Sequence, residues 1–292
     1  MSELHLFVAY GHHGLRMSSA NGREWSEPVL GDRNHLYRDG AFGGGRFVVV
    51  GSFGARSITS TSQDGTQWSE PTVLQNDPPP YLSAIQHGGD KYVAVGGYSP
   101  DVNLLSSTTS ENGSRWPRIH TERKRSLTSI TYGNGKFVAA GVRGMVVVSQ
   151  DGSTWREAEG RPARDTFIAI AFGNNVFVGT GLHGLRMTSR DGLTWTNRQV
   201  GEEGEHINSV VWTGEEFVGV GLGATYFSPD GRRWRRVRNT AAPLRCSYGN
   251  NVYVGTHWRG KILVSADAIR WRQVHRSEHH VTGFVHGRVR AR

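Results

Sequence analysis

The sequence predicts an all-β fold, a seven-bladed β-propeller of four-stranded antiparallel blades. Three observations predict it: a phrase that recurs seven times, the interval between its copies, and the strand-and-turn pattern between them. The phrase is a serine, any residue, Asp or Asn, Gly, two more residues, then Trp. It reads Ser19-Ala-Asn-Gly-Arg-Glu-Trp25 in the first copy and Ser149-Gln-Asp-Gly-Ser-Thr-Trp155 in the fourth. The last copy is degraded, Ser265-Ala-Asp-Ala-Ile-Arg-Trp271. Successive tryptophans lie 43, 48, 39, 40, 39 and 37 residues apart. A period near 40 with strand-like patterning marks a propeller, in which each repeat is one blade.

The fourth repeat shows the elements in order. Residues 127–132 alternate as a short strand, and Gly133-Asn-Gly-Lys136 supplies the positive φ angles of a tight hairpin turn. Residues 137–141 read as the second strand, 141–144 as a turn and 145–149 as the third strand. The Asp151-Gly152 turn then leads through Trp155 into a fourth. Second strands recur at 47–50, 92–95, 177–180, 217–220 and 253–256. One propeller therefore accounts for residues 1–292, overriding the two domains that length alone suggests.

The two ends are complementary. Residues 4–9 match a second strand, so blade 1 lacks its innermost strand, and residues 280–287 line up with the first strand of the fourth repeat. The expectation is that the tail joins the N-terminal strands, so that blade 1 is shared between 1–30 and 279–292. This removes two exposed sheet edges.

The Ser-x-Asp-Gly-x-x-Trp phrase resembles the Asp-box of sialidase-type propellers. The fuller repeat is similar to galactose-oxidase-central-domain-like propellers and to photosystem II assembly-factor propellers. The resemblance spans essentially the whole chain and implies the fold. It does not imply one activity, because hydrolases, lyases, lectins and scaffolds share this blade. Sialidases resemble six-bladed rings with an arginine triad and a Tyr/Glu pair, a set with no clear counterpart here. The boxes themselves read as a fold device, since a feature present in every blade positions turns and packing.

Composition narrows the remaining choices. No apolar run approaches the ~18 residues of a membrane-spanning helix. Met1-Ser-Glu-Leu carries no signal-peptide pattern, and the compartment stays open between a cytoplasmic chain and one that has lost a leader. Cys246 is the only cysteine, so no intrachain disulfide forms. The net charge is +9. Much of the excess sits at Arg232-Arg-Trp-Arg-Arg-Val-Arg238 and Arg270-Trp-Arg272, on expected outer strands. Edge protection is the simple account of these arginines. A polyanion surface is the sharper one. No RNA- or DNA-reading motif is present, so nucleic acid is not the expected partner.

Function is expected on the face that carries the loops between second and third strands and the connections between blades. Eight of thirteen histidines fall there: His12, His13, His35, His183, His206, His257, His279 and His280. The centre of the second-to-third loop varies as His13, Phe53, Tyr98, Arg143, His183, Gly223 and Trp258 or Arg259, as a ligand funnel requires and a fold does not. On the innermost strand, small residues give way to Asp39 in blade 2 and Arg245 in blade 7. Each is either half of a structural ion pair or a channel-lining group.

Three functions compete. The first is a binding module for an anionic or carbohydrate ligand, using His13, His35, Asp39, Phe53, Tyr81, Arg143, His206, Arg245, Trp258, Arg259 and His280. Arginines there meet carboxylate or sulfate, and aromatic rings stack on sugars. The second is a polysaccharide lyase or hydrolase with His183, His257 and Tyr98 in acid–base roles. A divalent metal held by histidines belongs to this reading, although no short-range ligand spacing is present. The third is a protein-assembly scaffold using a broad face.

Overall fold

The computed structural model describes residues 3–75, 81–97, 104–117, 119–160, 162–202 and 204–290. Seven antiparallel sheets stand in a ring. The innermost strands are Val281–Arg290 in blade 1, His35–Gly43, Leu82–Gly88, Leu127–Gly133, Phe167–Gly173, Ile207–Trp212 and Arg245–Gly249 in blade 7. Blades 2 to 7 each carry four strands in consecutive order. Blade 1 orders the tail strand, Glu3–Gly11 and Arg16–Ser19, and its fourth strand is shortened to the Arg16–Val29 bridge. The tail pairs antiparallel with Glu3–Gly11 in the register Phe7↔His286, closing the ring as the complementary ends imply.

The boxes hold successive blades together. In every box the Asp or Asn Oδ1 accepts backbone N–H bonds from the two residues after the Gly position; Asp151 takes those of Ser153 and Thr154, both at 2.7 Å. These bonds hold the Asp151 carboxyl at about 2, more than offsetting burial, which raises it. The box glycine abuts the preceding blade: a Cβ on Gly152 would lie 2.4 Å from Val93, and one on Gly113 2.2 Å from Val48. Both glycines also need φ near +70° (77° and 71°), so Gly serves packing and backbone together. Blade 7 has Ala268 there, at φ 57° and fully buried, its carbonyl accepting from Thr225 of blade 6. Asp151→Ala should cost about 1 kcal/mol, measured by denaturant unfolding, because two amides lose their acceptor. An unchanged midpoint would mean that water replaces the carboxylate fully.

A second device sits at the far end of the channel. The inner-strand position paired with the second-strand aromatic is itself aromatic in each blade: Phe42, His87, Tyr132, Phe172, Trp212, Tyr248 and His286. In most blades the ring lies against a glycine of the preceding blade. A Cβ on Gly43 would overlap His87, and one on Gly249 would overlap His286. Second-strand phenylalanines Phe7, Phe47, Phe137, Phe177 and Phe217 are fully buried beside them. Aromatic rings therefore contribute large apolar surfaces at most blade junctions.

Inner strands also carry a bulge. Register shifts leave Arg38, Ser83, Thr128, Ile168, Asn208 and Thr282 unpaired within their blades. A bulge re-aims its side chain. Ser83, Thr128 and Thr282 use this to donate to carbonyls of the next blade, Thr128 to Phe167 O at 2.6 Å. Arg38 is the charged member of the set.

Candidate functional site

The two faces of the ring obey different rules at the same backbone conformation. Turns between first and second strands place Asn174 and Asn175, Asn250 and Asn251, or Asn134 and Gly135 at positive φ, residues that tolerate it. Turns between second and third strands put His13 at φ 58°, Arg143 at 51°, His183 at 55° and Arg259 at 62°. A long side chain in that region costs about 1 kcal/mol that Asn or Gly avoids. Four blades carry that cost on one face only, which points to a use for the side chains.

At the centre of this face lies a cavity of about 320 Å³, lined by Arg38, Arg245, Trp258, His280, Asn208 and Thr282 among others. Arg38 stands on the bulge of blade 2, its guanidinium 4.6 Å from the centre of the Tyr81 ring. Its Nε is buried with no hydrogen-bond partner, and burial first, then the Arg245 charge, pull it below the usual guanidinium value. Arg245 is exposed to the cavity. Neither arginine makes an ion pair among the described residues. Trp258 is 60% exposed and stacks on His280 at 5.7 Å.

The channel continues inward as a second cavity of about 180 Å³ that shares Arg245 and Asn208 with the first. Asp39 is on its wall. One carboxylate oxygen accepts from Tyr10 at 3.1 Å and the other from the Ile85 amide at 2.9 Å. Ser129 and Ser209 hold the Ile170 and Cys246 amides at the equivalent place, so Asp39 is a staple between blades as well as a channel group. Its side chain retains some surface toward the channel yet is enclosed by protein. That enclosure raises its carboxyl, with the Ile85 amide and Arg245 working against it. Asp39 and Arg245 share the cavity without coming within ion-pair distance.

Around the mouth the histidines group by blade. His12 and His280 meet edge to face at 5.4 Å, and His13 stacks on His279 at 4.1 Å, both pairs across the joint of the chain ends. Burial, then the neighbouring charges, His280 and Arg38 for His12 and Arg245 for His280, lower both His12 and His280. His35 packs edge-on against Phe53 at 5.1 Å. In blade 5, His183 Nδ1 lies 2.9 Å from Asp165, which also meets Arg198 at 3.2 Å. The His183 amide donates to His206 Nδ1 at 3.3 Å, which places the His206 proton on Nε2 when the ring is neutral. A neutral His206 then has no free lone pair for a metal.

Of the residues singled out in the sequence, Arg245, Trp258 and His280 converge on the main cavity, and Tyr81 supports Arg38 beside it. Arg259 lines a neighbouring cavity with Arg276 and His280. Arg143 is tied through its amide to Thr166. His183 is grouped with His206, in a different blade from His257, and His257 lines none of these cavities. Tyr98 lies outside the described residues. Among the described residues, no three His, Cys, Asp or Glu side chains are arranged to hold a metal ion. Sequence reasoning missed Arg38 and Asp165. Arg38 was detectable, because the blades align it with Ser83, Thr128, Ile168, Asn208, Leu244 and Thr282. Asp165 carried no signal, since its role depends on a fold-made contact with His183.

No protein-family model matches this chain, and no curated protein sequence matches it. Solved structures do resemble it. One described as YCF48 bound to D1 peptide has a TM-score of 0.62 at 15% identity, covering 89% of this chain and 85% of that one. Virginiamycin B lyase from Staphylococcus aureus gives 0.65 at 12%, over 82% and 84%. The computationally designed Ika8 protein gives 0.58 at 15%, over 94% and 88%. At these identities the likeness extends to the fold: this chain is a seven-bladed β-propeller.

Proposed function

We propose that the protein binds a small anionic ligand in the central funnel. The observation that carries this is the pair Arg38 and Arg245, two guanidiniums facing one cavity with no carboxylate paired to either. Like charges brought together in a partly desolvated site repel. A carboxylate, sulfate or phosphate removes that repulsion and accepts from the guanidinium fork. Trp258 and His280 give a flat apolar wall beside the charge, suited to a sugar ring or another planar group. A uronate or sulfated sugar fits both features. So does the carboxylate of a peptide, the kind of partner named for YCF48.

The test is thermal unfolding with sulfate, phosphate or glucuronate added at constant ionic strength. A ligand at 100 Kd stabilises by about 2.7 kcal/mol. The expected result is a rise in Tm for at least one anion, lost in Arg38→Ala/Arg245→Ala. Equal shifts in the parent and the double variant would refute the proposal.

A further inference from the structure

The arginines on the outer rim are not spread as edge protection requires. Every blade of the ring presents an outer strand edge, and each needs a guard. Yet the outer strands of blades 6 and 7, Arg235–Arg238 and Arg272–Arg276, hold five arginines in nine residues. Those of blades 2 to 5 hold two in twelve, Arg156 and Arg198. Both of these are in ion pairs, with Glu159 and Asp165. On blades 6 and 7, Arg236 pairs with Glu205 and Arg235 lies over the Phe227 ring, while Arg238, Arg272 and Arg276 have no ion pair among the described residues. The two blades are neighbours in the ring, in contact through their inner strands, so their exposed outer strands lie on the same side of the molecule.

What this surface lacks narrows its partner. Trp234 and Trp271 are half-buried, and their indole N–H groups bond to Gly231 and Ala268 within the boxes. Val237 and Ile269 pack into the interior. Among the described residues of these outer strands, no aromatic ring is free to stack on a base or sugar, as single-stranded nucleic acids and glycans require. No apolar anchor stands out to centre a protein interface. Exposed arginine alone matches a partner that displays only regularly spaced phosphates.

We infer that the outer edges of blades 6 and 7 are a docking surface for the phosphate backbone of duplex nucleic acid, read without sequence preference. This site does not use the Arg38 and Arg245 pair, although Arg276 borders the cavity beside the funnel that Arg259 and His280 line. The absence of a base-reading motif agrees with it, because backbone contacts position a duplex and carry no sequence information.

The experiment is fluorescence anisotropy with a labelled 20-base-pair DNA of arbitrary sequence, at about 50 to 200 mM salt. If the four arginines without an ion pair, Arg235, Arg238, Arg272 and Arg276, reach phosphates, log K should fall with log salt at a slope of about −3.6, from about −0.9 per contact. Arg235→Glu/Arg238→Glu and Arg272→Glu/Arg276→Glu should each weaken binding more than tenfold. Arg23→Glu/Arg115→Glu changes net charge equally, on exposed box turns of blades 1 and 3, and should change it less than threefold. Four results would overturn the assignment: no binding at the lowest salt, equal loss in the control variant, tighter binding of the single strand, or polyglutamate competing as well as duplex. Thermal melts of each variant show whether the fold is intact, and Arg38→Ala/Arg245→Ala should bind duplex as the parent does.

Discussion

Deleting Val281–Arg290 should abolish cooperative folding. The tail is the inner strand of blade 1 and packs against the inner strands of blades 2 and 7. Its removal takes away the buried side chains of Val281, Phe284, Val285 and Val289, which are 0%, 8%, 7% and 7% accessible, and uncovers the residues they pack against. At ~1.5–3 kcal/mol for each buried side chain, the loss is roughly 6–12 kcal/mol. That is comparable to the ~5–15 kcal/mol that holds a whole domain together. Polar losses come on top. Thr256 gives up its 2.7 Å bond to Val281 O, and the Tyr10 and Tyr37 carbonyls lose Thr282. Blade 1 would be reduced to a two-stranded ribbon, which is not stable in water. The expected observation is loss of a sharp thermal transition, restored when a peptide of residues 279–292 is added. A truncated chain that still melts cooperatively within a few degrees of the intact one would show that closure is dispensable.

Acidification should destabilise the protein in two stages, first through histidines and then through box carboxylates. Burial lowers His12, His35, His87 and His280, and burial with the His5 and Arg288 charges brings His286 to about 4. A histidine lowered in the folded state stays neutral there while the unfolded chain takes up protons near pH 6.5. Its stabilising contribution is complete above about pH 6.5 and is lost as pH falls toward about 4. The geometry agrees: His5 Nδ1 and His286 Nε2 are 3.1 Å apart, a contact that needs one nitrogen unprotonated. His286 keeps some solvent contact, so its share is roughly 1–2 kcal/mol after screening. The carboxylates act lower. Burial raises Asp64, but the Gln67 and Thr66 amides outweigh it and hold the carboxyl at about 2, like that of Asp151. A carboxylate lowered in the folded state stabilises above its ordinary value near 4 and loses that contribution as pH falls toward 2. His87→Phe/His286→Phe tests the first stage, because Phe42 and Phe172 occupy the same place in blades 2 and 5. Unfolding free energy in the double variant should fall less between pH 6.5 and 4 and equally below 4. Parallel curves over the upper range would show that these two rings do not titrate with folding.

The central cavity was legible in part: Arg245, Trp258 and His280 line it, whereas His13, Arg143, His183 and Arg259 do not. Those four loop residues, which broke the repeat, are held at positive φ on one face. Variation at a strained position is visible in sequence because every blade supplies a comparison. The same logic applied to the bulge would have found Arg38. It could not have found that Arg38 and Arg245, 207 positions apart, share a cavity, nor that Asp165 fixes His183.

The repeat by itself determined the architecture: blade number, strand order, the turn at each box and the closure by the tail. Those follow from local chemistry repeated seven times, where Gly and Asn set turns and alternating apolar residues set strand faces. Tertiary structure decided which charged groups meet. Ring closure brings residues from opposite ends of the chain to one axis, and no spacing along the sequence encodes a distance across it. It left the Arg38 and Arg245 guanidiniums facing a common cavity without an ion-pair partner among the described residues, and it put the rim arginines on two neighbouring blades.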